Sequence, residues 1–385
     1  MALELVHESP AERRARIGEG IQKWPQGDGR IDRFMGEPAP DREWFVKERL
    51  LAGRAALLTG LGGSYKTSLM YHLAFAGVIG RLPWDWEVGG TGKALLFLTE
   101  DTAEDAHEML QRFAPELSPE EQTLLRENLR IWPMAGEDCR VLVVGPGGIG
   151  INANGYGLIE LVKSFANVRF IGLDPALGLS AGDELNQGHQ RFLGQFVDRL
   201  AIETGACAML VSHAAKGLGS AETLNSHMSR GGGAITDAVR AEIAVRAMTP
   251  KEALAFGIAD EAEAARHIQV KLTKANKAPP SARAPLWLRI TDGGLLAPAG
   301  LVAAEPSAVR LTVADEKAME VLRELCRVAS PASHEWRSAC RDRGLFSGTD
   351  EAVKKAHDRT KARLLALGLI ARGVGRGVFI PAEEE

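Results

Sequence analysis

Residues 55–76 read AALLT-GLGGSYKT-SLMYHLAFA, an apolar run, a glycine-rich turn and an apolar helical pattern in unbroken succession. That order places a tight loop between a buried strand and the first turn of a helix. Backbone N–H groups and the helix N-terminus then converge on a single point and favour an anion there. In such a loop Gly60, Gly62, Gly63, Ser64 and Tyr65 shape the cradle, and Ser68 leads into the helix. Lys66 reaches the β- and γ-phosphates of a nucleotide, and Thr67 presents its hydroxyl to Mg2+. The pattern G-x-x-x-x-G-K-[ST] is met except at Tyr65, which stands where the last glycine is expected. Either the loop tolerates a side chain there, or phosphate binding suffers. The competing account, a glycine-rich turn with an incidental Lys-Thr, has no use for the strand before it or the helix after it.

Outward from this stretch, short apolar runs alternate with helical patterns. The runs lie at 55–59, 94–99, 168–174 and 207–213, and the helices at 66–79, 102–115, 119–127, 156–166 and 186–204. Continuously apolar strands alternating with helices predict a mostly parallel sheet covered on both faces, an α/β fold. After Arg230 the runs 241–248, 266–274 and 286–290 read as strands that extend it. Residues 1–40 form a polar lead-in expected to be poorly ordered, 41–295 the nucleotide-binding domain, 296–310 an Ala/Pro/Gly-rich linker and 311–385 a small separate domain.

Three further positions suit nucleotide chemistry. VRFIGLD ends in Asp174, a carboxylate able to hold Mg2+ beside Thr67. ALLFLTED ends in Glu100 and Asp101, and Glu100 is the expected base that orients and deprotonates the attacking water. Asp101 competes as a cap on the following helix. MLVSH ends in His213, placed to sense the γ-phosphate. A second glycine signature, VLVV-GPGGIG at 141–150, is a literal G-x-G-x-x-G with Asp174 downstream, as in dinucleotide-binding folds. Its glycines do not open a helix directly, because INANG intervenes, so a hairpin or loop is expected instead.

The net charge of −4 argues against a protein that coats nucleic acid with its whole surface, while leaving room for a local basic face. Four scattered cysteines form no CxxC pair and suit a reducing compartment. The N-terminus lacks the pattern of a signal peptide, and no apolar run approaches the roughly 20 residues of a membrane span. A soluble cytoplasmic protein without a membrane partner is the expectation.

The segments REWFVKERLLAGRAALLTGLGGSYKTSL, ALLFLTED, VRFIGLDPALGL, ETGACAMLVSHAAKG, SRGGGAITDAVR and KLTKANKAPP…LWLR follow one another over about residues 40–300. In this order they resemble the RepA-type plasmid replicative helicases and their phage and plasmid relatives. The resemblance implies a RecA-like P-loop core, ATP and Mg2+ as cofactors, a hexameric ring and translocation on single-stranded DNA during plasmid, phage or mobile-element replication. It gives Lys66, Thr67, Glu100, Asp174 and His213 the roles already assigned. It makes Arg230 a finger to the neighbouring subunit's γ-phosphate, against a plain surface salt bridge as the alternative, with Lys216 and Lys274 as further contacts in trans. Relatives commonly carry paired histidines where this chain has Ser212–His213, and they share its SYK[ST] loop form. DNA is implied near 180–189 and 217–230, stretches that are poor in Lys, Arg and aromatic residues.

From Val313 the pattern is three helices and then two short strands around a Gly-Arg-Gly turn, which suggests a winged helix. Over 351–376, Lys354, Lys355, Arg359, Lys361, Arg363, Arg372 and Arg376 face only Glu351 and Asp358, a local excess of five positive charges suited to duplex DNA. Winged helices also serve as protein-interaction modules. Three functions follow: a ring-forming DNA helicase or translocase, a DNA-tethered regulatory ATPase that does not unwind, and a nucleotide-binding interaction protein.

Overall fold

The computed structural model describes residues 31–36, 38–146, 148–180, 186–214, 224, 226, 233–302, 311–373 and 377–382. The chain divides into two units, 1–42 and 43–385. In the first, a single turn of helix spans Asp32–Met35. All that follows concerns the second.

Its strands, in chain order, begin with β1 (Trp44–Val46), β2 (Leu50–Leu51), β3 (Ala55–Gly60), β4 (Lys93–Leu98), β5 (Leu129–Pro133), β6 (Leu142–Gly145) and β7 (Gly148–Ile151). They continue with β8 (Val168–Asp174), β9 (Cys207–His213), β10 (Ala241–Ala247), β11 (His267–Ala275), β12 (Leu286–Ile290), β13 (Leu296–Pro298), β14 (Ile370–Arg372) and β15 (Phe379–Pro381). The longer helices are α1 (Lys66–Ile79), α2 (Ala103–Phe113), α3 (Pro119–Asn128), α4 (Ala153–Lys163) and α5 (Gln187–Thr204). After them come α6 (Gly233–Ala238), α7 (Val313–Cys326), α8 (Ser333–Asp342) and α9 (Asp350–Ala366).

Nine strands form one sheet in the order β13-β12-β11-β10-β3-β9-β8-β4-β5. From β10 to β5 all pairs are parallel. β11, β12 and β13 add antiparallel to the β10 side. The apolar runs are continuous because successive residues enter opposite cores. Ala56 and Leu58 of β3 join the core beneath α1, while Ala55 and Leu57 join the one beneath α4 and α5. α1 is itself buried on nearly every side, from Leu69 to Val78, as a helix apolar all round should be.

One glycine fixes where α1 lies. A Cβ on Gly172 of β8 would come within 2.5 Å of Leu96 and 2.7 Å of the Met70 sulfur. The bare backbone lets α1 press onto β8, which brings the start of α1 to the end of the strand that carries Asp174.

The expected strands and helices are present with small shifts of boundary. α4 starts at Ala153 instead of 156 because Asn152 caps it, its side chain accepting from Gly155 N. The glycine signature at 141–150 forms the antiparallel hairpin β6–β7, with Gly145 opposite Gly148, and not a nucleotide loop. Strand β5 was not expected; Trp132 hides it by sitting next to Pro133, yet its ring stacks on Phe97 at 4.7 Å. β13 takes the first residues of the stretch expected to be linker. Leu296 is buried there, and its N–H donates to His72 Nε2 at 3.1 Å.

β10 carries a buried acidic side chain. Glu242 is fully buried and accepts from the hydroxyls of Thr59 (3.2 Å), Thr236 (3.1 Å) and Thr273 (2.8 Å). The β10–β11 register slips by one residue at this point, and Thr273 is the residue left over. The bulge turns its hydroxyl toward the carboxylate, a use bulges commonly serve. Glu242→Ala leaves three hydroxyls without their acceptor and is expected to cost about 2 kcal/mol. Urea denaturation of the variant would measure it; an unchanged midpoint would show that the network contributes nothing.

Residues 311–382 have their own core around Trp336, which is enclosed by Leu322, Cys340, Phe346 and Phe379. The Trp336 indole donates to Ala318 O at 2.9 Å. α7, α8 and α9 precede the antiparallel pair β14–β15, and a single bridge joins Ala332 to Val378. The basic excess is less open than its count suggests. Arg363 is drawn to the buried Asp315 at 2.5 Å, and Lys361 to Asp358 at 2.6 Å and Ser333 at 3.2 Å. Lys355 pairs with Glu351 at 3.4 Å, while Lys354 and Arg359 are exposed. Arg376 lies outside the described residues.

Candidate nucleotide site

Parallel strands end on the same edge, and here that edge assembles the site. Gly60 at the end of β3 lies opposite His213 at the end of β9. Leu98 at the end of β4 lies opposite Asp174 at the end of β8. The loop 61–65 leaves this edge and enters α1 at Lys66. An open cleft of about 930 Å³ lies over it, lined by Gly63–Ser68, Glu100, Asp101, Asp174 and His213 among others. Sheet topology thus joins residues far apart in the sequence, at the place where α/β sheets bind ligands.

Within the loop, Gly63 takes φ +72°. No atom would lie within 4 Å of a Cβ on Gly62 or Gly63, so their surface is open to a ligand. Ser64 Oγ donates to Leu61 O at 2.7 Å and tightens the turn. Tyr65 adopts φ 62°, ψ 27°, the left-handed conformation that glycine normally supplies. The first of the two expectations therefore holds for the backbone: the loop keeps its shape and the tyrosine ring turns outward, 38% exposed. Tyr65→Gly would relieve about 1 kcal/mol of local strain while adding comparable freedom to the unfolded chain. Stability and ATP affinity are both expected to change little. A sharp gain in affinity, measured by calorimetry, would show that the ring obstructs the loop.

Lys66 is buried, and its Nζ donates to Leu61 O at 2.7 Å. Burial holds its ammonium below the usual lysine range, against the pull of Asp174 and Glu100. The Thr67 hydroxyl donates to Asp174 Oδ2 at 2.7 Å. Burial pushes the Asp174 carboxyl up to about 6; the Thr67 hydrogen bond and Lys66 oppose the rise, and Asp101 and Glu100 add to it. A carboxylate and a hydroxyl so arranged suit Mg2+, which is held by few protein ligands together with substrate phosphates. No cluster of three or more His, Cys, Asp or Glu among the described residues could hold a metal ion. Ser68 lines the same cleft, and its buried hydroxyl has no partner among the described residues. An unsatisfied buried donor is costly unless a ligand pairs with it, and a phosphate oxygen would.

Glu100 is exposed on the cleft wall two residues beyond β4. Asp101 is not the helix cap. Thr102 and Asp105 form the capping box of α2, and burial, with Asp105 and Glu100, raises the Asp101 carboxyl above its ordinary range. His213 lines the cleft and also a small neighbouring pocket with Leu177, Ser180 and Gln190. It stands between the phosphate site and the chain that adjoins 181–185. Lys274 donates to Thr236 O at 2.7 Å, next to α6. Arg230, Lys216, residues 181–185 of the first implied DNA stretch and all but Leu224 and Ser226 of the second lie outside the described residues. Met109, Arg112 and Gly294 line the cleft without having been anticipated. The three-residue spacing of Met109 and Arg112 on one helical face was the available signal; Gly294 offered none.

The cysteines Cys139, Cys207, Cys326 and Cys340 are all free thiols. No helix of the described residues is long and apolar enough to cross a membrane. The family model of the AAA domain matches residues 27–219, half of the chain, spanning every described site residue from Gly60 to His213.

Proposed function

This chain belongs to the AAA domain family of nucleotide-hydrolysing ATPases, and we propose that it works as a ring-forming DNA translocase or helicase of RepA type. The observation that carries the ATPase part is the meeting of Lys66, Thr67, Glu100 and Asp174 in one cleft on one sheet edge. Lys66 and the loop N–H groups hold the β- and γ-phosphates, and Thr67 with Asp174 holds Mg2+, which when bound neutralises phosphate charge. Glu100 orients a water toward the γ-phosphate and accepts its proton. His213 meets the cleft on one side and the chain toward 181–185 on the other, so loss of the γ-phosphate can be transmitted there. Arg230, presented by a second subunit, completes the charge stabilisation in trans.

The DNA part draws support from the C-terminal segment. Three helices, a two-stranded sheet and the Ala332–Val378 bridge follow the order of a winged helix, with Lys354 and Arg359 on the exposed side of α9. The scarcity of basic and aromatic residues in 180–189 and 217–230 favours a second reading, a regulatory ATPase tethered to duplex DNA that does not unwind it. ATP turnover with and without single-stranded DNA, with particle mass measured in the same samples, separates them. Stimulated turnover in a hexamer-sized particle supports the motor; DNA that changes neither rate nor mass removes it.

A further inference from the structure

The basic side chains that are scarce in 180–189 and 217–230 gather at the other end of the sheet. Opposite the nucleotide cleft lies an edge where β3 begins at Ala55, β10 begins at Ala241 and β11 ends at Ala275. The six residues of β3 set this edge about 20 Å from the phosphate loop. The main chain draws three segments together here. Arg240 N–H donates to Ala55 O at 2.9 Å, and Asn276 N–H donates to Arg240 O at 3.2 Å. A small pocket opens among them, lined by Trp44, Arg49, Arg54, Arg240, Asn276 and Lys277 with their neighbours.

Arg54 is taken by Asp198, which it meets through two hydrogen bonds of 3.0 and 2.7 Å. Lys274, close by, lies 4.0 Å from Asp237. Arg49, Arg240 and Lys277 have no acidic partner among the described residues, and Arg240 and Lys277 are exposed. Arg49 is half-buried; its guanidinium sits 5.1 Å from the Trp86 ring, and its buried Nε has no hydrogen-bond partner. Three unmatched cations thus surround a pocket that also holds the half-buried indole of Trp44. Single strands are bound by this combination, cations along the phosphates and an aromatic ring under a base. We infer that this edge is a binding site for single-stranded DNA, with Arg49, Arg240 and Lys277 on its phosphates and one base stacked on Trp44. A ring reads no hydrogen-bonding edge, so the site is indifferent to sequence. Duplex bases already stack on one another and leave Trp44 nothing to receive. The site deepens the DNA part of the reading given above, because it supplies cations that the implied DNA stretches lack.

The test is fluorescence anisotropy of a labelled oligothymidylate and of a labelled duplex over a series of salt concentrations. It uses the full chain, the double variant Arg240→Gln/Lys277→Gln and Trp44→Leu. The double variant removes two phosphate contacts from exposed positions, where folding is not at stake. Its single-strand affinity should fall, and the slope of log affinity against log salt should flatten by about 1.4, or about 0.7 per phosphate. Trp44→Leu keeps apolar bulk without the ring. It should weaken single-strand binding about tenfold, as one stacked base allows, with the salt slope and duplex binding unchanged. Basal ATP turnover should stay at the parent rate in both, since the nucleotide cleft lies at the far edge. Parent affinity and slope in the double variant would overturn the site. An equal loss for the duplex would make the edge a general polyanion surface and overturn its assignment to single strands. A parent chain that binds no single strand would remove the DNA reading itself, an outcome distinct from both.

Discussion

Glu100→Gln is expected to lower ATP turnover by about 10² to 10⁴-fold, the contribution typical of a positioned general base, while ATP still binds. The amide keeps the size and shape of the carboxylate and removes its capacity to accept a proton. Nothing that holds the phosphates is altered, since Lys66 and Thr67 lie on α1 and Asp174 on β8. Glu100 owes its place to register. Leu98 pairs with Asp174, so Glu100, two residues beyond the end of β4, reaches the same cleft as that carboxylate. Phosphate release and calorimetric ATP binding, measured on the same variant, check the two halves of the claim. Turnover at the parent rate would remove Glu100 from the role. Asp101 would then be the group to replace, because it lines the same cleft and burial raises its carboxyl above the ordinary range.

Much of this site was legible because its chemistry is local. The strand–loop–helix of 55–76 announces itself within two dozen residues, and Asp174 and His213 end apolar runs whose lengths are those of strands. What sequence could not show is which strands lie side by side. That Thr67 touches Asp174, 107 positions away, follows from strand order and from the close approach that Gly172 permits. Gly294 reaches the cleft only through tertiary placement, and no local pattern marks it. The basic count of 351–376 misled in the opposite direction. It treated Arg363 and Lys361 as surface charges, when a buried Asp315 and the Asp358–Ser333 pair draw them inward. The bulge at Thr273 was likewise invisible, since it answers a carboxylate on a different strand.

Asp174→Asn is expected to abolish Mg2+-dependent hydrolysis and yet to raise the melting temperature of the nucleotide-free protein at pH 7.5. The carboxyl titrates at about 6 in the folded chain against an ordinary 3.8, chiefly because burial disfavours its charge. Between those values the folded state holds a proton that the unfolded state has released. Its contribution to stability is therefore full below the lower value and is lost as pH rises through the upper one. At neutral pH the protein carries an ionised, poorly solvated carboxylate, set against the single hydroxyl of Thr67 that donates to it. Asparagine keeps an oxygen for that hydroxyl and carries no charge at any pH, so the penalty disappears along with the metal ligand. Thermal melts across pH 4 to 8 should show variant and parent converging at the acid end and separating with the variant higher above pH 6. Adding ATP and Mg2+ should stabilise the parent strongly, because a ligand that binds only the folded state shifts the equilibrium by mass action, and the variant far less. A variant that melts below the parent at pH 7.5 would show that Asp174 is a net structural contributor, and undiminished stabilisation by ATP and Mg2+ would take it out of the metal site. Burial sets the cost of ionising this carboxyl, and a cation bound beside it would offset that cost.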